Sequence, residues 1–364
     1  YIPNRTLTPM ETAFVDDEIQ SLCKSGAIRE CASQPKGVSP ISVAPKKGNG
    51  YRLIVDLRHL NQFCNAPKFV YEDINTVLQQ AKPNDYLVTA DIKSGFHHVP
   101  IQNEYLEYLG FSWRSKFYVW CVLPFGLALS PVYFAKILRP VVTYLRSNNV
   151  RLQAYVDDFL LAAQADTFTD HLDLLLHTLQ DLGWNINEKK SSLLPEHSKV
   201  YIGYKIKTNG LEGYPSIQIT SDRIRKLKRS LLRVSQKHSI SARNLARIAG
   251  QCVAMSFVIH PAKLLLRNVY KLLRQRNSWD DILLITQEAR QDLIWWQKYV
   301  NQWNHRPVIV RPVQAQITTD ASHLGWGAVM NNTEAAGQWN YRLSQKSSNH
   351  RELMAIFMAL LTFL

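Results

Sequence analysis

Tyr155-Val156-Asp157-Asp158 is the stretch that decides how this chain is interpreted. Apolar residues flank its two adjacent carboxylates, with Leu152 and Ala154 before them and Phe159 to Leu161 after them. Neighbouring side chains of a regular strand point to opposite faces, so paired aspartates fit best at the tip of a β-hairpin. Their oxygens are the ligands that hard divalent cations prefer. The dipeptide alone is equally typical of an ordinary turn, and other parts of the chain have to distinguish the two interpretations.

A third aspartate ends a strand-like segment farther upstream. Tyr86–Ala90 is mostly apolar and leads directly to Asp91, and Gly95 and Phe96 follow a few residues later. A glycine at such a place allows a ligand to approach the backbone closely. Three carboxylates suit a two-metal phosphoryl-transfer site, in which two cations stabilise the attacking and leaving oxygens. We therefore expect Asp91 and Asp157 to be the principal ligands of two Mg²⁺ ions, with Asp158 as the third acidic member and Mn²⁺ as an alternative metal.

Five segments, in this order, resemble the polymerase domain of reverse transcriptases. They are Val43-Ala44-Pro45-Lys46-Lys47 with Tyr51–Arg58; Asp91–Phe96; Leu123-Pro124-Phe125-Gly126-Leu127 with Ser130-Pro131; Tyr155–Asp158; and Tyr201-Ile202-Gly203-Tyr204. One such motif would be weak support, but five in order are specific, and they span roughly residues 35 to 206. The resemblance implies an α+β right-hand polymerase with fingers, palm and thumb. It also implies an RNA-directed DNA polymerase that binds an RNA template, a DNA primer, their RNA–DNA hybrid and dNTPs.

The resemblance assigns five residues to the incoming nucleotide. Arg52 is expected to bind its phosphates, because a planar guanidinium suits bidentate phosphate contact. Lys46 or Lys47 is expected to do the same from the fingers loop. Phe96 stands where the family has an aromatic ring under the sugar 2′ position, which would exclude ribonucleotides. Phe125 replaces the glutamine of retroviral enzymes, so it can pack on the nucleotide but cannot hydrogen-bond to it.

The segment Tyr201–Tyr204 resembles the primer grip of the family, where the backbone approaches the primer strand. Gly203 and Tyr204 are the expected contacts, since a residue without a side chain permits that approach. An ordinary hairpin turn is the alternative explanation of the glycine.

The region after the polymerase motifs resembles the thumb of DIRS-type elements, which integrate with a tyrosine recombinase. Ser241–Gln251 and the Trp295-Trp296 helix carry this likeness. Leu-Pro-Phe-Gly-Leu also suits Ty3/Gypsy-like elements and plant pararetroviruses, so the subtype is the weaker part of the resemblance.

The last segment resembles the start of an RNase H domain. Ile317–Ser322 and His350–Leu353 carry this likeness, which makes Asp320 and Glu352 the first two of four carboxylates. We expect an incomplete RNase H-like α/β domain that does not hydrolyse RNA, because two carboxylates can hardly fix two metals. The first residue is Tyr and the last helix continues to Leu364, so we expect a part of a longer polyprotein or of an incomplete gene product.

The excess positive charge lies in one part of the chain. The whole chain carries +14, and residues 221–311 contain 18 Lys and Arg against 5 Asp and Glu, a net of +13. Helices are expected there, one after the cap Thr220-Ser221-Asp222 and another over Ser241 to about Ile259. Basic residues on such helices bind nucleic acid by releasing counterions, whereas a solvated helical face is the alternative. We predict fingers and palm at residues 1–206, a basic helical thumb and connection at 207–311, and the RNase H-like part at 312–364.

Composition excludes several other classes of protein. Hydrophobic residues make up 46% of the 364 residues and charged residues 20%, as in a soluble globular protein. No apolar run is long enough to span a membrane, and no signal peptide opens the chain. The five cysteines are widely spaced, which argues against a disulfide framework or a zinc site. We expect an intracellular protein of the cytoplasm or nucleus with no membrane partner.

Two alternatives to an active reverse transcriptase stay open. One is a nucleic-acid-binding relic without catalysis, against which the intact acidic triad argues. The other is a related polymerase with a different template or nucleotide, such as a pararetroviral or RNA-making enzyme. The effect of Phe96→Ala on nucleotide selection would distinguish the latter.

Overall fold

The computed structural model describes residues 2–46, 50–69, 71–210, 213–308 and 315–363. The chain divides into two compact units, Tyr1–Val308 and Ile309–Leu364. The first unit contains both the predicted fingers and palm and the predicted thumb. Lys47, one of the two lysines expected at the nucleotide, lies outside the described residues.

The secondary structure of the first unit mixes helices and strands along its whole length. Helices α1 to α9 are Pro9–Lys24, Arg58–Asn61, Ile74–Gln80, Ser130–Ser147, Phe168–Asp181, Ser221–Ser235, Ala242–Val253, Arg267–Arg274 and Gln287–Tyr299. Strands β1 to β8 are Ile28–Cys31, Val38–Ser39, Ile41–Lys46, Gly50–Val55, Tyr86–Asp91, Gly110–Trp113, Lys116–Trp120 and Arg151–Tyr155. Strands β9 to β16 are Asp158–Ala163, Ser192–Glu196, Ser198–Tyr201, Tyr204–Lys207, Ser216–Ile219, Ser239–Ser241, Ile282–Leu284 and Arg306–Pro307. Short 3₁₀ helices lie at Gly95–His98, Asn103–Tyr108, His260–Ala262 and Leu264–Leu266.

The palm is an antiparallel sheet with the strand order β10-β5-β9-β8. Strand β9 is buried on both faces. Phe159, Leu161 and Ala163 pack into a core with α4 and α5, whereas Leu160 and Ala162 pack into the core of the helical part. Because burial of an unpaired charge costs free energy, the carboxylates of these strands occur at their ends.

A buried ion pair joins the strands at the opposite end of the palm sheet. Asp85 is completely buried and accepts two hydrogen bonds from Arg151, at 2.5 and 2.7 Å. It also accepts the peptide N–H of Lys82 at 2.7 Å and a hydrogen bond from the Gln164 amide. Asp85 thus fixes the starts of β5 and β8 and the residue that follows β9.

The fingers consist of the sheet β1-β7-β6-β2 and the β3-β4 hairpin. They share a core with α1 in which Val15, Ile41 and Phe111 are almost wholly buried. Helix α1 begins with a capping box between Thr8 and Glu11, which satisfies N–H groups that the first turn leaves free.

The basic helical part packs against a further sheet with the order β11-β12-β13-β16. Its core includes Leu227, Leu245 and Trp296, from α6, α7 and α9. Helix α7 ends at Val253, several residues before the end expected from the sequence. Asp292 of α9 accepts the peptide N–H of Asn268 at 2.9 Å, so the start of α8 is capped by a neighbouring helix.

The second unit is a three-stranded antiparallel sheet with two helices. Strands β17 to β19 are Ile317–Ala321, Gly325–Met330 and Thr333–Gln338, and helices α10 and α11 are Tyr341–Ser344 and Ser348–Phe363. Ala355 and Ala359 of α11 pack on Trp326 and Ala328 of β18. Across the described parts of both units, every helix is too short or too polar to cross a membrane.

Candidate active site

The acidic motif forms the tip of a hairpin, as the sequence predicts. Strand β8 ends at Tyr155, β9 begins at Asp158, and these two residues pair across a two-residue turn. Val156 in this turn has a φ of 57°, which is unfavourable for a β-branched residue. Such strain persists only where the surrounding structure imposes it, and it occurs most often at functional sites.

The three predicted metal-binding carboxylates lie together. Asp91 is the last residue of β5 and pairs directly with Asp158. The peptide N–H of Ile92 donates to the carbonyl of Asp157 at 2.9 Å, so the strand end and the acidic turn are joined by their backbones. Asp91 is 6% exposed. The structure therefore gathers Asp91, Asp157 and Asp158 at one edge of the palm sheet.

Burial, with repulsion from neighbouring carboxylates, makes ionisation of Asp157 and Asp158 unfavourable. Burial, together with the neighbouring charges of Asp157 and Asp91, raises the pKa of Asp158 to about 6. Burial also raises the pKa of Asp157, and the charge of Asp91 adds to this effect. Lys190 opposes both shifts. A divalent cation would offset the same repulsion far more strongly than one lysine.

A polar turn before β10 holds Asp91 in place. The amide of Asn187 donates to Asp91 Oδ1 at 2.9 Å, and Lys190 Nζ lies 3.2 Å from Oδ2. The peptide N–H of Asp91 donates to Ser191 Oγ at 3.0 Å. The sequence analysis did not identify these three residues. Their only signal was a polar run between Ile186 and an apolar pair, which many surface turns share.

The donor set fits magnesium. Among the described residues, no three His, Cys, Asp or Glu side chains are already arranged around one metal position. Mg²⁺ typically takes one or two carboxylates and completes its shell with water and substrate phosphates, so it does not need a closed protein cage. Oxygen-only donors that repel one another are the appropriate chemistry for such an ion.

Phe96 lies beside the acidic turn. Gly95 precedes it, and a Cβ on this glycine would come within 2.8 Å of the Phe134 ring and 3.3 Å of Asp157 Cβ. The Phe96 ring is 8% exposed and lies 5.2 Å from Phe134 and 4.9 Å from Phe125, measured between ring centroids. Phe125 and Phe134 thus hold the Phe96 ring in place, and only a small part of its surface is open to a ligand.

Phe125 is exposed on a loop that two polar side chains hold in place. Its side chain is 52% exposed. Asn61 donates to the carbonyl of Gly126 at 2.9 Å and accepts the peptide N–H of Ala128 at 2.8 Å. The hydroxyl of Ser130 donates to the carbonyl of Pro124 at 2.8 Å. Phe125 is therefore presented on a rigid loop, and Asn61 is a further residue that the sequence analysis did not identify.

Arg52 and Lys46 lie on the same face of the β3-β4 hairpin. Ala44 pairs with Arg52 and Lys46 pairs with Gly50, so the two basic side chains project on one side. Both are exposed, and neither has a hydrogen-bond or ion-pair partner within the described part of the chain. Strand β4 ends at Val55, whose carbonyl lies next to Gly126, so this strand leads to the Phe125 loop. The contact of Arg52 and Lys46 with a nucleotide stays a prediction.

Comparison with known proteins agrees with this geometry. Residues 44–206 match the family model described as reverse transcriptase (RNA-dependent DNA polymerase). This part of the chain is therefore similar to reverse transcriptase domains. The Pol polyprotein of transposon gypsy from Drosophila melanogaster is 27% identical over 95% of this chain and 34% of its own length. The chain therefore spans about a third of this relative.

Solved structures with a similar fold align with almost the whole chain. A foamy viral protease-reverse transcriptase in complex with double-stranded DNA has a TM-score of 0.71 at 19% identity, covering 99% of this chain and 61% of that one. The same viral protein in complex with an RNA/DNA hybrid has a TM-score of 0.65 at 18% identity, covering 100% and 47%. The right-hand polymerase fold expected from the sequence is thereby confirmed.

The hairpin between β11 and β12 lies at the end of the segment that matches the family model, before the basic helices. Ile202 and Gly203 form its turn with φ values of 39° and 83°. Tyr204 is 5% exposed and donates its hydroxyl to the carbonyl of Ala254. The space that a side chain at Gly203 would take is filled by Arg223, because a Cβ there would lie 2.2 Å from Arg223 Cζ. The glycine is thus required locally, and the predicted contact of Gly203 and Tyr204 with a primer stays a prediction.

Helix α6, the first helix after the segment that matches the family model, carries a basic stripe. Arg225, Arg229 and Arg233 follow each other at intervals of four on α6 and are all exposed. Residues at this spacing share one helical face. Leu227 and Leu231, on another face, are buried in the core. The predicted phosphate-binding track is consistent with this arrangement.

The two carboxylates expected in an RNase H site both lie in the second unit. Asp320 is exposed near the end of β17, and Glu352 is half-buried in the first turns of α11. Within the described residues, no third acidic, His or Cys side chain joins them in a metal-binding group. The assignment to RNase H stays a prediction.

Proposed function

We propose that this chain is an RNA-directed DNA polymerase of a retrotransposon, which adds dNTPs to the 3′-hydroxyl of a primer. The observation that supports it best is the position of Asp91, Asp157 and Asp158 beside Phe96 in the segment that matches the family model. A relative named as the retrovirus-related Pol polyprotein of a transposon and a structural neighbour named as a reverse transcriptase support it further.

Two Mg²⁺ ions, when bound by Asp91, Asp157 and Asp158, would lower the pKa of the primer hydroxyl and neutralise the departing pyrophosphate. The protein's own contribution is to fix the carboxylates. Asn187 and Ser191 hold Asp91 from one side, and the backbone pairing of β5 with β9 holds Asp158 from the other. Fixed charges of this kind need no reorganisation during the reaction, which is why they are effective.

Nucleotide selection depends on aromatic side chains in the same region. Phe96 would lie under the sugar, where its ring leaves no room for a 2′-hydroxyl. Phe134 prevents it from moving away, since the two rings are in edge-to-face contact. Phe125 would pack on the nucleotide, while Arg52 and Lys46 would bind the phosphates from the fingers hairpin.

The proposed substrates are a primer–template duplex and dNTPs. The foamy viral neighbours are named as complexes with double-stranded DNA and with an RNA/DNA hybrid. This chain shares their fold and has the basic stripe of α6, which supports an RNA template with a DNA primer. The likeness of Ser241–Gln251 and Trp295-Trp296 to DIRS-type thumbs supports that subtype, while the relative reported above is of the gypsy type.

Primer extension on an RNA template with Mg²⁺ and dNTPs tests the proposal. The native chain should extend the primer, and Asp157→Asn should lose at least about a thousandfold in rate because a metal ligand is removed. Asp166→Asn, an exposed aspartate beyond β9, serves as the control. Primer–template binding without extension by the native chain would instead favour a non-catalytic relic.

We also propose that this chain does not hydrolyse the RNA strand of a hybrid. Among the described residues, no third side chain joins Asp320 and Glu352 in a group that could hold a metal, and two carboxylates are too few to hold two metals. Hydrolysis of a labelled RNA–DNA hybrid by this chain, lost in Asp320→Asn, would contradict this.

A further inference from the structure

Helix α8 has a basic face of its own, separate from the stripe on α6. Arg267, Lys271 and Arg274 are exposed and lie on one side of the helix, because they are four and seven positions apart. Val269 and Leu272, on the other side, are buried in the core. Within the ranges that the structure describes, none of the three basic side chains has an ion-pair or hydrogen-bond partner. Their charges therefore face solvent.

The carboxylates nearest to this face along the chain and on the neighbouring helix have other partners. Asp292 of α9 is buried and accepts a peptide N–H at the start of α8. In the loop after α8, Asp280 pairs with Arg243 at 3.0 Å, and Asp281 accepts two peptide N–H groups of its own loop. These carboxylates therefore do not neutralise the basic face, which stays available to an anionic partner.

Two exposed aromatic rings accompany the basic side chains. Tyr270 lies among them on the same face of α8. Trp279 follows in the next loop, and the guanidinium carbon of Arg276 lies 3.9 Å from the centre of its ring. Arg276 also donates to the carbonyl of Leu273 at 2.6 Å, which connects this ring to the end of the helix. Unpaired bases stack on exposed rings of this kind, whereas the bases of a duplex are already stacked on each other.

The basic faces of α6 and α8 lie on different sides of the helical part. Helices α6 and α8 both pack against α7 and α9, so they occupy diagonal positions in the arrangement of these four helices. Each turns its apolar residues to the shared core and its basic residues outward. A rigid duplex that lies along α6 therefore does not cover α8, and a second, separate segment of nucleic acid is needed to fill that face.

We propose that the exposed face of α8 binds single-stranded nucleic acid, such as the part of an RNA template that has not yet been copied. Arg267, Lys271 and Arg274 would bind its phosphates, and Tyr270 and Trp279 would stack on its bases. This surface is separate from the polymerase motifs, and its binding does not require catalysis. An acidic protein segment would satisfy the charges but has no bases for the rings.

The test is the anisotropy of a labelled oligouridylate, added to the full chain after an excess of unlabelled primer–template duplex. The native chain should bind it, and the double variant Arg267→Gln and Lys271→Gln should bind about tenfold more weakly. Its slope of log K against log salt should fall by about 1.4, or about 0.7 for each charge removed. Affinity for the duplex should stay within about twofold. The matched control is Lys24→Gln with Arg29→Gln, two exposed basic residues of the fingers.

A second variant separates stacking from charge. Tyr270→Ala should weaken binding of the oligouridylate about fivefold or more and leave the salt slope unchanged, because stacking releases no counterions. Tyr270→Phe keeps the ring and should bind like the native chain. Alanine is a good helix former at this exposed position, so the fold should be retained.

Several results would overturn the inference. Native affinity in the double variant would exclude the basic face, and an equal loss for the duplex would assign α8 to the same duplex as α6. Native affinity in Tyr270→Ala, or displacement of the label by polyglutamate as readily as by unlabelled oligouridylate, would favour an acidic protein partner.

Crosslinking decides the matter if a variant lowers Tm. A 4-thiouridine oligonucleotide irradiated with the native chain should crosslink within residues 264–281, and crosslinks elsewhere alone would exclude the site. Failure of primer extension would refute the proposed polymerase activity without affecting any of these binding results.

Discussion

Tyr201 donates its hydroxyl hydrogen to the backbone carbonyl of Asp158, with 3.1 Å between the two oxygens. The tyrosine is 3% exposed and ends β11, while Asp158 begins β9. One hydrogen bond therefore connects the hairpin next to the basic helices with the strand that carries Asp158, a proposed metal ligand. Removal of the Tyr201 hydroxyl would leave the backbone carbonyl of Asp158 without this donor.

Tyr201→Phe should lower kcat for nucleotide addition about fivefold and leave KM for dNTP nearly unchanged. A typical hydrogen bond contributes about 1 kcal/mol, which corresponds to this factor in rate. The hydroxyl contacts the backbone of Asp158 and not the nucleotide region, so binding of substrate should not change. Tyr144→Phe, an exposed position on α4, is the control for steady-state kinetics. A higher KM with unchanged kcat would show that the hydroxyl serves another purpose.

Phe96→Ala should relax the exclusion of ribonucleotides. The ring is fixed between Phe125 and Phe134, so its removal opens space under the sugar that neighbours cannot refill. We expect the ratio of kcat/KM for dNTP over rNTP to fall about tenfold or more. The variant also loses stability, by about 3 kcal/mol, because a buried ring is removed. Phe63→Ala, at an exposed position, is the control, and an unchanged ratio in Phe96→Ala would remove the evidence for a sugar gate.

Stability without divalent ions should fall as pH rises from about 4 to about 6. The pKa of Asp158 is about 6 in the folded chain against an ordinary value of 3.8, so the folded state holds this proton more tightly. The resulting stabilisation is complete below the lower pKa and is lost as pH rises through the higher one. Thermal unfolding in EDTA should show this loss in the native chain and a smaller one in Asp158→Asn. Equal pH profiles for the two proteins would contradict the raised pKa.

Mg²⁺ should restore much of the stability that the folded chain loses as pH rises to neutral. The ion binds the ionised carboxylates of the folded state, so its stabilising effect grows as they lose their protons. The increase in Tm on adding Mg²⁺ should therefore be larger at pH 7 than at pH 5. Asp166→Asn should behave like the native chain, and Asp157→Asn should show little increase at either pH.

The parts of the site that are local in sequence could be predicted from it. The acidic turn requires only that two carboxylates interrupt an apolar run. The strand that ends at Asp91 was equally clear. In each case the residues that determine the structure lie within a few positions of each other, so neither long-range packing nor burial had to be known.

The parts that depend on distant contacts could not be predicted. Asn187 and Lys190 hold Asp91 across nearly one hundred residues, and Arg223 fills the space above Gly203. Nothing in a polar turn or a basic helix indicates which partner it will meet. Helix α7 likewise ends at Val253 although apolar residues continue to Ile259, because those residues pack into the core as turns.

Asp85→Asn should destabilise the fold by about 3 to 5 kcal/mol, as expected when one partner of a buried ion pair is removed. Asp85 is completely buried, and without its charge the Arg151 guanidinium lacks its partner at 2.5 Å. Urea unfolding should show the loss as a lower midpoint with an unchanged slope. Glu107→Gln, which breaks the exposed pair with Lys36, should cost about 1 kcal/mol or less.

The same pair allows a sharper test with a second substitution. Arg151→Met alone leaves the Asp85 charge buried without its partner and should be as costly as Asp85→Asn. Combining the two removes both charges, so the double variant should be much more stable than the sum of the single losses predicts. Because the pair lies at the end of the palm sheet opposite to Asp158, nucleotide addition at low temperature should stay close to native in all three variants. Additive losses would mean that the two side chains stabilise the sheet independently, through Lys82 and Gln164 rather than through each other.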